Sequence, residues 1–191
     1  MILPGLLVLT DRHLCTSPLI DVIASTVEEG ARAVVLREKD LPLADRLRLF
    51  DGVRNLLEPV DGLPILAGPI GDAVHLATAD PFPSPRPSIV GRSCHSVAEV
   101  SQAAAEGCDY VTVSPVFPTP SKPGYGPPLG WDGLAQLAAT GVATYALGGV
   151  QPTDVAACRR AGAIGVAVMG PIMRDPDIVA AYLEALQEVN G

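Results

Sequence analysis

A (β/α)8 barrel of the TIM type, in a single α/β domain spanning 1–191, is the fold class that the amino-acid sequence predicts, on three observations. Eight short β-type runs recur along the 191 residues. Most of them lack period-2 alternation, which fits strands buried on both faces of a parallel arrangement. Helical segments, several of them stopped by glycine, separate most of the runs, and that repeat closes most simply as a barrel. A doubly wound sheet is the alternative reading of the same repeat.

The first run, LLVLT (6–10), leads to Ser17-Pro18, an N-cap and first-turn proline for a helix that reaches Glu29 and stops at Gly30. AVVLR (33–37) follows, then a helix over 42–57. PILA (64–67) and AVHL (73–76) come next, and after them SIVGRS (88–93). Ser96 and Glu99 then form a capping box for a helix over 96–106 that ends at Gly107. YVTVS (110–114), a helix over 131–139, TYALG (144–148), a helix over 152–161, GVAVM (165–169) and a helix over 176–189 complete the chain.

Two connections break the pattern. Five residues, 68–72, cannot hold a crossover helix, and ADPFPSPRP (79–87) carries four prolines that forbid one. The outer helices after strands 3 and 4 are therefore expected to be missing or shortened. That would leave apolar strand surface uncovered around 64–76, and a second copy of the chain is the expected cover: a homodimer.

A net charge of -8 and a pI near 4.7 argue against nucleic acid or an anionic membrane as partner. No uncharged apolar run approaches the ~20 residues of a membrane span. The amino terminus lacks a basic stretch before its apolar run, so no signal peptide is expected and the location is read as cytoplasmic. Cys15, Cys94, Cys108 and Cys158 lack metal-ligand spacing, and Cys108 and Cys158 read as small core residues.

Chemistry in such barrels sits where strands end. Ser114 to Gly130, with six prolines and three glycines, is the most distinctive of these ends. There Thr119, Ser121 and Lys122, with Pro120 between them, offer two hydroxyls and an ammonium to one anion. Arg37 and Lys39 lie two apart in the charged run REKD, so both can grip one diphosphate. Gly148-Gly149 and Met169-Gly170, each before a helix start, present backbone amides suited to a phosphate. Asp80 is a candidate Mg2+ ligand, because hard oxygen donors suit a cation that also holds phosphate oxygens. His75, inside an apolar run, reads as a core histidine, and Trp131 as packing for the helix after the loop.

The stretches LTDRH (9–13), LREKD (36–40), VHLATAD (74–80), GRSCHS (91–96), SPVFPTPSKPG (114–124), ALGGV (146–150) and GVAVMGPI (165–172) together resemble the thiamine-phosphate synthase and thiazole tautomerase superfamily. The resemblance implies a transferase of thiamine biosynthesis. It would act on small-molecule phosphates, joining hydroxymethylpyrimidine diphosphate to thiazole phosphate and releasing Mg2+-bound pyrophosphate. By position, Arg37, Lys39 and Lys122 would be catalytic cations holding the diphosphate with Ser93, and Asp80 would bind Mg2+. Thr119, Pro120, Ser121, Gly149, Met169 and Gly170 would hold the thiazole phosphate. Val35, Leu36, Glu38 and Gly148 fall among the same substrate contacts. Three positions depart from the family pattern: Val35 for a glutamine, Ala67-Gly68 for an Asn-Asp pair, and Gly170 for a serine. A tautomerase-like isomerase and a non-catalytic phosphate-ligand binder are the alternative readings.

Overall fold

The computed structural model describes residues 3–119 and 127–188. Eight strands run in chain order around a closed, all-parallel barrel: β1 (Leu6–Leu9), β2 (Ala33–Leu36), β3 (Leu63–Ala67), β4 (Ala73–Leu76), β5 (Ile89–Cys94), β6 (Tyr110–Val113), β7 (Ala143–Leu147) and β8 (Gly165–Val168). Closure is made by β1 against β8, with Leu6 opposite Val166 and Val8 opposite Val168.

Period-2 geometry sorts most of the strand residues into two apolar layers. Leu7, Leu9, Ala33, Val35, Ile65, Ala67, Tyr110, Tyr145 and Ala167 fill the interior. Leu6, Val8, Val34, Leu36, Leu66, Val111, Val113, Val166 and Val168 face the helices. Because both faces are buried, neither needs polar residues, which is why the runs read as uninterrupted.

The outer layer comprises α1 (Leu19–Glu28), α2 (Leu43–Leu57), α3 (Val97–Glu106), α4 (Gly130–Ala138), α5 (Val155–Arg160), α6 (Gly170–Arg174) and α7 (Ile178–Glu188). Two local expectations are adjusted. Pro18 itself, not Ser17, is the N-cap of α1 and makes no side-chain cap bond. Ser96 does cap α3, accepting from the Glu99 N–H at 3.2 Å, but the Glu99 carboxylate reaches one residue further back, to the His95 N–H at 2.5 Å.

No helix follows β3 or β4, as expected. The register explains how five residues join two parallel strands. Leu66 lies opposite Val74, so β4 begins level with Ile65, only two residues back along β3. The chain must therefore recover about 7 Å along the strand and about 5 Å across, well within its reach. Gly68 and Gly71, at φ +106 and +127, supply the left-handed backbone for that reversal.

The strand surface in this quarter is not bare, which corrects the expectation that a partner must cover it. Leu66, Val74 and Leu76 are at most 1% exposed. Phe82, from the proline-rich segment, packs on Val74, Leu76 and Val90. The Arg86 guanidinium holds that segment down, donating to the Gly107 carbonyl at 3.1 Å and to Asp109 at 2.8 Å. The exposed large apolar side chains nearby are Leu43 and Leu47 of α2 and Ile70 of the short turn.

Candidate active site

The ends of β1 and β2 are locked together by charge. The Thr10 hydroxyl donates to Glu38 Oε1 at 2.7 Å and accepts from the Arg37 N–H at 3.0 Å. Arg12 forks between two carboxylates, 3.0 Å from Glu38 Oε2 and 2.6 and 2.5 Å from the oxygens of Asp40. The Arg12 guanidinium, helped by His13, holds the Asp40 carboxyl well below the usual carboxylate range. Glu38 is buried and already bonded, so it anchors Arg37 and Lys39 in place and presents no oxygen to a ligand cleft.

The two cations of the REKD run reach different places. The Arg37 guanidinium crosses to the Met169 sulfur at 2.8 Å; a thioether is a weak acceptor, so its charge stays available to an anion. Lys39 pairs with Asp80 at 3.2 Å. The same Asp80 oxygen accepts from the Ala77 N–H at 2.8 Å. Burial works to raise the Asp80 carboxyl, but the Ala77 bond and the Lys39 ammonium outweigh it and its pKa is lowered. The loop carrying Asp80 is shaped by Arg92, which donates to the carbonyls of Ala77, Thr78 and Asp80 at 3.1, 3.0 and 2.9 Å. Its other terminal nitrogen lies 2.8 Å from Glu106, an ion pair whose angle falls short of a hydrogen bond.

After β6 the chain packs directly on the turn after β7. Val116 N–H donates to the Leu147 carbonyl and Phe117 N–H to that of Gly148, both at 2.9 Å. The returning limb bonds the outgoing one, Leu129 N–H to Pro115 and Gly130 N–H to Val116, again at 2.9 Å. Trp131 is 40% exposed and stands edge-on to Phe117 at 4.7 Å, so it braces this stem and is not a core residue. A Cβ on Gly149 would lie 2.6 Å from the Pro118 carbonyl oxygen, at a φ of +71 that side chains rarely adopt. The glycine pair is thus required by the docked loop, whatever its amides bind.

A cavity of about 320 Å3 opens at this end of the barrel. Its floor is apolar, from Leu9, Leu147 and Ala167, and its polar rim carries Arg37, Ser93, Thr119, Gln151 and Arg174. Gly148, Gly149, Met169 and Gly170 close one side. Seven of the expected site residues therefore meet in one space: Arg37, Ser93, Thr119, Gly148, Gly149, Met169 and Gly170. Lys39 and Asp80 stand at the same barrel end outside that lining. Val35 points into the barrel core and Leu36 into the outer apolar layer, both fully buried. Pro120, Ser121 and Lys122 lie outside the described residues.

Arg174 was not singled out from the sequence. Its guanidinium lies over Gly170, where a Cβ would come within 2.9 Å of Nη1. Helical side chains lean toward the N-terminus, so a residue four positions on covers the helix start. The organising roles of Thr10, Arg12 and Arg92 have no sequence signature beyond a place at or near the end of a strand.

The donor set suits Mg2+ in one form only. Among the described residues no three His, Cys, Asp or Glu side chains are grouped so that they could hold a metal ion. Asp80 is a single carboxylate tied through one oxygen to Lys39, which fits a cation held by one carboxylate and completed by substrate phosphates.

A family model described as thiamine monophosphate synthase matches residues 6–172. The chain is similar to a thiamine-phosphate synthase of Roseiflexus castenholzii, 34% identical over 91% of this chain and 83% of that one. It is also similar to one of Methanoculleus marisnigri, 36% identical over 80% and 79%. In shape it is similar to the thiamine phosphate pyrophosphorylase from Pyrococcus furiosus, with a TM-score of 0.84, 24% identity and coverage of 98% and 97%.

Proposed function

We propose that this chain, which belongs to the thiamine monophosphate synthase family, joins a hydroxymethylpyrimidine diphosphate to a thiazole phosphate with release of pyrophosphate. The observation that carries the reading is the shared cavity. It gathers a cation and a hydroxyl, Arg37 and Ser93, an apolar floor, the glycine turn Gly148-Gly149 and the helix start at Gly170 into one space. Two phosphorylated heterocycles need that combination: donors for anions and a dry surface for flat rings.

In the reaction the bond between the pyrimidine methylene carbon and the diphosphate oxygen breaks, and both electrons leave with pyrophosphate. The cation that remains is captured by the lone pair of the thiazole ring nitrogen, forming the new C–N bond without a proton transfer. Arg37, whose guanidinium meets the Met169 thioether, and Ser93 hold the diphosphate and stabilise the negative charge that grows on it. Lys122, by its place in the β6 loop, adds a second cation. Asp80 would hold Mg2+, which when bound supplies further neutralisation of the leaving group. The thiazole phosphate takes Thr119, Ser121 and the amides at Gly149 and Gly170, where the dipole of the helix start and the Arg174 charge favour an anion. The apolar floor excludes water, which would otherwise capture the cation.

The same proposal includes a homodimer, supported by the exposed Leu43 and Leu47, one turn apart on α2, and by the exposed Ile70 of the turn after β3; sedimentation of the Leu47→Glu variant tests it. The reaction itself is tested with purified protein, pyrimidine diphosphate, thiazole phosphate and Mg2+. Thiamine phosphate and pyrophosphate in equal amounts are expected. Turnover of a thiazole carboxylate tautomer without thiamine phosphate would replace the reading by an isomerase.

A further inference from the structure

Below the cavity the barrel interior holds a chain of polar groups of which the proposed reaction uses only the topmost, Ser93. His75 is buried, with Nδ1 3.1 Å from the Tyr110 hydroxyl and Nε2 2.9 Å from the Ser93 hydroxyl. Its ring stacks on that of Tyr110, the centroids 5.6 Å apart and the planes at 27°. Tyr145 meets Tyr110 edge-on at 5.5 Å, and its own hydroxyl donates to the Pro4 carbonyl at 2.5 Å, at the opposite end of the barrel. Gly91 makes the column possible: a Cβ there would lie 2.0 Å from the Tyr110 ring. Only Ser93, at the top, reaches the cavity.

We propose that His75 is a positioning residue which, with Tyr110, fixes the hydrogen-bond polarity of Ser93, so that the serine points its hydrogen into the cavity and donates to a phosphoryl oxygen of the diphosphate. The inference rests on the proposed reaction for the identity of that anion. It follows from counting hydrogens. A neutral imidazole has one N–H and one lone pair. If Tyr110 donates to Nδ1, the ring hydrogen sits on Nε2 and is given to Ser93, whose own hydrogen is then left for the cavity. If the ring hydrogen sits on Nδ1, the Tyr110 hydrogen loses its only described acceptor inside the barrel, and Ser93 must spend its hydrogen on Nε2. The second arrangement leaves a buried donor unpaired and turns serine lone pairs toward an anion, so it loses twice. Burial, with the nearby positive charges of Arg37, Lys39 and Arg92 acting against the negative charge of Asp80, keeps the ring neutral.

The tautomer is read by 15N NMR of His75 in the ligand-free protein; hydrogen on Nε2 supports the inference, and hydrogen on Nδ1 or on both nitrogens overturns it. Binding of inorganic pyrophosphate by Ser93→Ala, Tyr110→Phe and the double variant gives the second arm. Each single change is expected to weaken binding about tenfold, since a charge-assisted bond is lost or misdirected. The double variant should lose no more than Ser93→Ala alone. Additive losses would show that Tyr110 acts independently of the serine and would overturn the inference. Tyr145→Phe removes a hydroxyl of the same column at its far end and should leave pyrophosphate binding unchanged; an equal loss there would reduce the column to a structural role. Because neither arm requires turnover, failure to form thiamine phosphate, with hydrogen on Nε2 and the coupling intact, would sink the proposed reaction and leave this inference standing.

Discussion

Lowering the pH should destabilise the fold through His75. Buried in the barrel interior and surrounded by Arg37, Lys39 and Arg92, its imidazole is pushed down to about 3, whereas in the unfolded chain it takes the ordinary value near 6.5. The unfolded state therefore binds a proton between those values and the native state does not. The stabilisation is complete above about pH 6.5 and is lost progressively as the pH falls toward 3. Over the whole window it amounts to about 5 kcal/mol, at 1.36 kcal/mol per unit. Between pH 7 and pH 5, where the unfolded imidazole passes from mostly neutral to mostly charged, the loss is about 2 kcal/mol. Urea unfolding of the wild type and of His75→Gln at both pH values isolates it. The constant cost of replacing the ring cancels within each protein, and the carboxylates common to both cancel between them. The wild-type midpoint should fall by about 1 M more than that of the variant. Parallel pH dependences would show that the histidine ionises inside the barrel, and the neutral-ring argument would fail with them.

Three further outcomes are expected. Gly91→Ala places a methyl 2.0 Å from the Tyr110 ring, which is itself held between His75 stacked on it and Tyr145 edge-on to it, and calorimetry should record a loss of about 3 kcal/mol or more. Gly149→Ala combines a strained φ of +71 with a clash against the Pro118 carbonyl; it should raise KM for thiazole phosphate by at least about tenfold while sparing KM for the diphosphate. Arg174→Met leaves an exposed position on α6 without its charge, so the melting temperature should stay within about 2 °C while affinity for thiazole phosphate falls several-fold, the difference shrinking as salt is raised.

The barrel was legible because its physics is local: two buried faces per strand, glycine stops and prolines confined to helix starts each leave a mark in a short window. The two missing helices were legible for the same reason, from a five-residue gap and four prolines. Register is not local, and the stagger that brings β4 level with Ile65 has no signature in LPILAGPIGDAVHL. Nor does the cover that Phe82 gives Val74 and Leu76, so the expected bare patch did not materialise. At the site, glycine turns and strand-end cations announced themselves, but their duties were divided by long-range contacts. Glu38 belongs to Arg12 and Thr10 across 26 and 28 positions of chain, and Lys39 to Asp80 across 41, separations at which no pattern in the chain survives. His75 read correctly as a satisfied core histidine, yet its partners Tyr110 and Ser93 could be named only once β4, β5 and β6 stood side by side.

The stem after β6 carries a consequence for the evolution of the loop above it. Leu129 and Gly130 bond back to Pro115 and Val116, so the two limbs that flank the loop are already joined to each other. Closing a chain whose ends are fixed costs only about 0.6 kcal/mol for each doubling of its length. Insertions and deletions between the two limbs should therefore leave the barrel's folding nearly untouched, and length at this point becomes a variable that selection, or a designer grafting a new phosphate grip, can change apart from the fold.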